Sequence, residues 1–216
     1  MDITRNILHQ DDYILLIDKP AGLMVEPDRN NNPSLLQYVK DYLKKTLPPE
    51  TVLYAQHIHR IDRPVRGIVL FAKQRAVLKN LSEQFAERKV KKFYRALTDK
   101  APANLQGRLE HWHRKEKKKA ALYDHEIEYS EKAILDYTVT PLDGNKFQWD
   151  IELQTGKYHQ IRAQLANAGC PILGDEMYGS NLPYEKNAIA LTASRLIFHH
   201  PITNDSLDIK IESNYA

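Results

Sequence analysis

Ala133-Ile134-Leu135-Asp136-Tyr137-Thr138-Val139 and Phe147-Gln148-Trp149-Asp150-Ile151-Glu152-Leu153 flank the turn Leu142-Asp143-Gly144-Asn145. Ala133, Leu135, Tyr137 and Val139 share one face of the first stretch, and Phe147, Trp149, Ile151 and Leu153 one face of the second. A period of two is the mark of a half-buried strand. A short Asp-Gly turn between two such strands makes a hairpin, so the pair is antiparallel. That rules out a chain built only of alternating strands and helices around a parallel sheet.

Upstream, Tyr13-Ile14-Leu15-Leu16-Ile17-Asp18 reads as a buried strand ended by the turn Lys19-Pro20-Ala21-Gly22. Asn32-Pro33 reads as an N-cap with proline at the first helical position. Leu35, Leu36, Val39, Tyr42 and Leu43 then follow at helical spacing, and Pro48-Pro49 closes the segment. Residues 67–72 form a continuous apolar strand, and Val77, Leu78, Leu81 and Phe85 mark the inner face of a second helix. Lys92–Thr98 is strand-like, whereas 99–120 is polar and reads as irregular or hairpin-like. Downstream, a helix is expected over about 158–168 with Gly169 at its C′ position. Ala188–Phe198 and Ser206–Ile211 supply further strands. There is no internal repeat and no low-complexity linker, so one domain over residues 1–216 of the α+β class is expected.

The chain has 216 residues, enough for one sizeable core or two packed lobes. No apolar run reaches the roughly 18 residues that span a bilayer, and Met1-Asp2-Ile3-Thr4-Arg5 lacks the apolar core of a signal peptide. A cytoplasmic protein without membrane contact is therefore expected. Cys170 is the single cysteine, which excludes an internal disulfide and a multi-thiolate zinc site. It reads as a buried structural thiol.

The net charge is only +3, but residues 86–120 hold twelve Lys/Arg against four Asp/Glu, a local +8. Such a strip suggests a polyanionic partner on one face, or else a solvated, charge-rich loop. If it neutralises roughly four phosphates of a single strand, affinity falls with salt at a log–log slope near −3.

Two dense polar runs carry the candidate chemistry. The first is His59-Arg60-Ile61-Asp62-Arg63, just before the strand Gly67–Ala72. A loop fixed by a rigid strand is a common seat for a catalytic residue, although taken alone such an aspartate is more often a turn cap or an ion-pair partner. The second is Thr155-Gly156-Lys157-Tyr158-His159-Gln160-Ile161-Arg162. On a helix His159 and Arg162 are three apart and share a face, and free N–H groups at the helix entrance can bind an anion.

These runs resemble the RluA type of pseudouridine synthase. The family pattern H-R-L-D-R…S-G-L-L-L-F-A-K is similar to residues 59–73, and K-x-Y-x-A to Lys92–Ala96. T-G-R-x-H-Q-I-R-x-H-L is similar to Thr155–Leu165, and G-x-P-I-x-G-D…Y-G to Gly169–Gly179. K-P-A-G matches Lys19–Gly22, and A-x-R-L-x-F-x-H-P resembles Ala193–Pro201. The matches keep the family's order from about residue 12 to 201. Departures are Val65-Arg66 for Thr-Ser, Ile61 for Leu, Lys157 for Arg, and Gln164 where His is frequent. Because K-P-A-G begins at residue 19, the catalytic domain alone is expected, without the small N-terminal S4 RNA-binding module of some relatives.

The resemblance implies a mixed, mainly antiparallel central sheet flanked by helices and loops, with a central cleft. It implies isomerisation of uridine in ribosomal or transfer RNA. No redox change occurs, so no cofactor and no metal are called for. Asp62, Tyr94 and Arg162 are the implied catalytic residues. Asp62 would act where oxocarbenium-like charge develops at the sugar, by a covalent bond or by a glycal route. Arg162 would be its ion partner, since a nearby cation favours an ionised carboxylate and unpaired burial of either charge is costly. Tyr94 would stack on the target base, a firmer role than acid–base work for a side chain of unperturbed pKa near 10. Arg60 and Arg63 would face RNA, with Arg63 filling the stack the uridine leaves. His59, Lys157, His159, Gln160 and Ile161 complete the implied substrate-binding set. A uridine in a loop is the cheaper target, because flipping it costs least there. A structured RNA loop is the expected partner and a monomer the expected state. A non-catalytic RNA-binding protein of the same fold and a metal-dependent phosphoester hydrolase are the competing classes. No H-E-x-x-H run or carboxylate cluster at ligand spacing supports the latter.

Overall fold

The structure, a computed structural model, describes residues 2–30 and 32–211. In chain order the elements are β1 (Ile7–Gln10), β2 (Ile14–Lys19), α1 (Leu35–Thr46), β3 (Gln56–His57), β4 (Arg66–Ala72) and α2 (Arg75–Ala86). Then come β5 (Lys91–Thr98), β6 (Gln106–Glu116), β7 (Lys119–Tyr123), β8 (Glu131–Leu142), β9 (Lys146–Leu153) and α3 (Gln160–Asn167). The described chain closes with β10 (Leu191–His199) and β11 (Ser206–Lys210). Its contacts group into two compact units, one running to Val90 and resuming at Ala193, the other Lys91–Thr192.

In the first unit the strand order is β1-β2-β4-β10, with β3 added to β4 and β11 to β10. β2 and β4 pair antiparallel from Ile14↔Ala72 to Lys19↔Gly67. Every residue of β2 is buried, and all of β4 beyond Arg66, which is why both read as unbroken apolar runs rather than as alternation. Ile14, Leu16, Ile68, Leu70, Val77, Leu81, Leu196 and Phe198 form one cluster. Each such side chain contributes about 1.5–3 kcal/mol on leaving water. The periodicity of α1 is met by burial of Leu35, Val39 and Leu43. Its cap, however, is Ser34, whose hydroxyl accepts from the Gln37 N–H, and not the expected Asn32-Pro33. Gly67 has φ +137°, and a Cβ there would lie 2.5 Å from the Ala193 carbonyl oxygen, so no larger residue fits beside β10.

The second unit is built on the order β5-β9-β8-β6-β7. β8 and β9 form the expected hairpin, with Ala133, Leu135, Val139, Trp149, Ile151 and Leu153 all buried. Trp149 finds a partner for its indole N–H in the Thr98 hydroxyl at 2.9 Å. Most of the polar stretch 99–120 is regular, not loop. β6 pairs with β8 along its length and turns back into β7 through Lys117-Lys118. Its exposed strand shows little apolar alternation to read. Cross-strand charge pairs flank it instead, Arg108 with Asp136 at 2.7 Å and Lys132 with Glu110 at 2.6 Å. Arg95 likewise meets Asp150 at 2.9 Å on β9.

Candidate active site

Asp62 sits in the loop between β3 and β4, half-buried, with its carbonyl closing a turn to the Val65 N–H at 3.0 Å. The element that fixes this loop is Lys19, at the end of β2 and fully buried. Its ammonium donates to the carbonyls of Leu23 at 2.7 Å, Pro20 at 3.0 Å and Arg63 at 3.2 Å. Those three bonds use all three donors of the group. Burial pulls the Lys19 pKa down to about 7, opposed by the carboxylates of Asp62 and Asp18. The Gly22 N–H donates to the Arg63 carbonyl at 2.8 Å, and Arg63 Nε returns a bond to the Gly22 carbonyl at 3.0 Å. The Lys19–Gly22 turn and the Asp62 loop are thus one hydrogen-bonded object.

The other residues of the first run divide between display and support. Arg60 and Arg63 are exposed. Arg60 is tethered to Glu26 at 3.2 Å, and Glu26 also holds His57 Nε2 at 2.7 Å. Within its own unit the His59 ring stacks on Phe85 at 5.1 Å, and its Nε2 accepts from the Leu70 N–H at 3.3 Å. The departing pair has structural work of its own. Val65 is buried, and Arg66 grips Asp18, with Nη2 at 2.7 Å and Nε at 3.1 Å.

In the second unit Arg162 lies in the first turn of α3 and is almost wholly buried. Asp175 takes it in a two-pronged pair, Nε to Oδ2 at 2.7 Å and Nη2 to Oδ1 at 2.8 Å. Its guanidinium also lies 5.1 Å from the centre of the Tyr178 ring. Burial raises the pKa of Tyr178, whose hydroxyl accepts from the Ala120 N–H at 2.8 Å. Removing one partner of such a buried pair strands a charge and costs about 3–5 kcal/mol.

The turn into α3 also departs from expectation. The helix starts at Gln160, and His159 is its N-cap in a left-handed conformation with φ +50°. His159 therefore does not share a helical face with Arg162. It stacks on Tyr158 at 3.8 Å and meets the Tyr178 hydroxyl at 3.1 Å. Gln160 is buried, and its amide bonds Thr155, the Lys157 N–H, Ile134 and Gln164. Ile161 is buried too. Gln160 thus supports the turn as a hydrogen-bonder. Gln164 is fully buried, its amide nitrogen within 3.1 Å of the Leu109 and Ala133 carbonyls, so it pins α3 against β6 and β8. Lys157 pairs with Glu131. Tyr94 is half-buried on β5, opposite Ile151 of β9.

Sequence reasoning named neither Lys19 as a clamp nor Asp175 and Glu26 as partners. Lys19 had one local signal, a lysine directly after a buried strand. Asp175 stands at the aspartate of the G-x-P-I-x-G-D run, which marks the position but not its partner 13 residues away, and Glu26, 34 residues from Arg60, had no signal.

A family model described as RNA pseudouridylate synthase matches residues 13–167. The ribosomal large subunit pseudouridine synthase C of Buchnera aphidicola is 33% identical over 96% of this chain and 67% of its own length. The dual-specificity RNA pseudouridine synthase RluA of Escherichia coli is 28% identical over 97% of this chain and 93% of its own. Among solved structures, human RNA Pseudouridylate Synthase Domain Containing 4 superposes with a TM-score of 0.79 at 22% identity, over 99% of this chain and 90% of that one, which bears on fold alone. A loop clamped around one aspartate, a buried arginine at a helix start and a match over most of the chain converge: the protein belongs to the RNA pseudouridylate synthase family.

Proposed function

We propose that this enzyme converts uridine to pseudouridine in ribosomal or transfer RNA, with Asp62 as the group acting at the reacting nucleotide. The relatives' names supply the two RNA classes. The observation that carries the choice of Asp62 is the way its loop is built. A buried ammonium at the end of β2 ties the Arg63 carbonyl beside Asp62 to the Pro20 and Leu23 carbonyls of its own turn, so the backbone that carries the carboxylate is fastened to a rigid strand. Preorganisation of that kind is what a catalytic group requires.

In the reaction the bond between N1 and the anomeric carbon breaks, the freed uracil turns, and a bond forms between C5 and the same carbon. The C5 proton leaves and N1, freed from the sugar, takes up a proton from solvent, so atoms and electrons balance without an oxidant or a metal. Positive charge on the sugar during cleavage is stabilised by the Asp62 carboxylate. Arg162 is its proposed cationic partner, oriented by Asp175, which holds two of its nitrogens. Tyr94 is the proposed stacking surface for the uracil. Arg60 and Arg63, both exposed beside Asp62, are the proposed contacts that open the RNA stack.

The test is release of tritium from total RNA labelled at C5 of uracil and taken from cells lacking the gene. Wild-type protein releases it and Asp62→Ala does not. Release by Asp62→Ala at the wild-type rate would overturn the assignment. Mapping the uridines left unmodified in those cells identifies the RNA.

A further inference from the structure

Bordering the second polar run at Lys157 and Tyr158, the second unit carries a cleft of about 650 Å³ whose other lining residues include Arg114, Lys115, Tyr129 and Glu131. We infer that it is a nucleotide-binding subsite for the substrate RNA strand, where Tyr129 stacks on a base and Lys115 and Lys157 face its phosphate. This deepens the pseudouridine synthase reading and rests on it.

Tyr129 carries the argument. Its side chain is 83% exposed, and its backbone is left-handed at φ +60°. A bulky residue rarely adopts that conformation, and an exposed ring returns no burial energy for the strain. The conformation is nevertheless firmly set. The Ser130 N–H closes the turn onto the Ile127 carbonyl at 3.0 Å, and the Ser130 hydroxyl bonds both the N–H and the carbonyl of Ile127, at 3.0 and 2.6 Å. Strain maintained by surrounding bonds to display an aromatic face points to a ligand.

The cations complete the chemistry. Lys115 Nζ lies 4.4 Å from the centre of the Tyr158 ring, on an aromatic face rather than on a carboxylate. Lys157 pairs with Glu131, and that contact lowers the Glu131 pKa. Arg114 is held by Glu116. Arg114, Lys115 and Lys157 bring three positive charges to the cleft against the single negative charge of Glu131. The volume lies in the range that encloses a small ligand. Aromatic stacking beside a cationic groove is how single strands are bound without reading sequence.

Tyr129→Gly is the decisive variant. Glycine accepts φ > 0 without strain, so this change removes the ring while holding or raising the melting temperature. The probe is a fluorescein-labelled oligouridylate of about twelve nucleotides, followed by polarisation, with uridine monophosphate as competitor. Expected are roughly tenfold weaker binding of the oligonucleotide, KM for RNA raised by a like factor, and kcat unchanged. Tyr129→Phe keeps the ring and restores affinity. Lys115→Ala flattens the log–log salt slope by about 0.7. Competition by uridine monophosphate at concentrations far below those of a weak single contact would make the cleft a free-nucleotide site and overturn the proposal. So would unchanged affinity in Tyr129→Gly, or a loss confined to kcat. In those cases wild-type tritium release still stands, whereas its absence would remove the synthase reading itself.

Discussion

The Asp62 loop and the Arg162 helix start solve the same problem with opposite chemistry. Each must hold a charged side chain in place. In the first unit the clamp is a buried lysine whose pKa has fallen to about 7, and it grips backbone carbonyls. In the second unit the clamp is a guanidinium–carboxylate pair, each side chain 5% exposed or less. Arginine does not lose its proton in a protein, so the Arg162 charge is permanent, whereas the charge of the lysine clamp is not. The Asp62 loop is thus set by adjustable chemistry, and the α3 start by permanent chemistry.

The largest effect should fall on the aspartate itself. Asp62→Asn keeps shape and loses charge, and turnover should drop by at least about 10³-fold while RNA still binds. Single-turnover tritium release and filter binding on the same preparation separate the two. Retained turnover would mean that the comparison has chosen the wrong group in the first unit.

Next comes the permanent pair. Asp175→Asn leaves the buried guanidinium without its charge partner, and urea denaturation should show a loss of about 3–5 kcal/mol. Arg162→Lys should lose much of the same stability, since a lysine ammonium on its flexible stem does not reproduce the planar two-pronged fit to the Asp175 carboxylate. A change below 1 kcal/mol in both would show that the second unit is not held as its geometry indicates.

The lysine clamp has a different signature. Because the folded pKa of Lys19 lies near 7 and the ordinary lysine value is 10.5, the unfolded chain binds more protons than the folded one between those values. Stability should therefore rise with pH across that window, with a slope from this residue of up to about 1.4 kcal/mol per pH unit. The cost of burying the charge is fully present below pH 7 and fades as the pH rises toward 10.5. Denaturation of wild type and Lys19→Met from pH 6 to 10 isolates the term, because the slope difference disappears if Lys19 keeps an ordinary pKa.

The smallest effect is expected at Arg66→Ala. Its pair with Asp18 has an arginine side chain that is 48% exposed, so water screens it, and about 1 kcal/mol or less should be lost. A larger loss would place Arg66 among the loop's supports.

The basic strip shows how far local counting reaches. Residues 86–120 sum to +8 in the sequence, yet Arg95, Arg108 and Arg114 face Asp150, Asp136 and Glu116 in the fold. Two of those acids lie on neighbouring strands, outside the counted window. A salt slope shallower than −3 is the expected consequence, with the lysines at and beside the β6–β7 turn as the main contributors.

What the sequence determined alone was the local pattern of strands and helices, though not the α1 cap or the start of α3. Alternation and an Asp-Gly turn specified the β8–β9 hairpin, apolar runs specified β2 and β4, and leucine spacing specified α1. The short runs around Asp62, Tyr94 and Arg162 were legible for the same reason, since each is contiguous. Tertiary structure alone decided what these groups lean on. Lys19 beneath the Asp62 loop, Asp175 on Arg162, and the regularity of the charge-rich β6 all depend on contacts between residues far apart in the chain, and no spacing rule encodes which distant carbonyl or carboxylate the fold will bring within 3 Å.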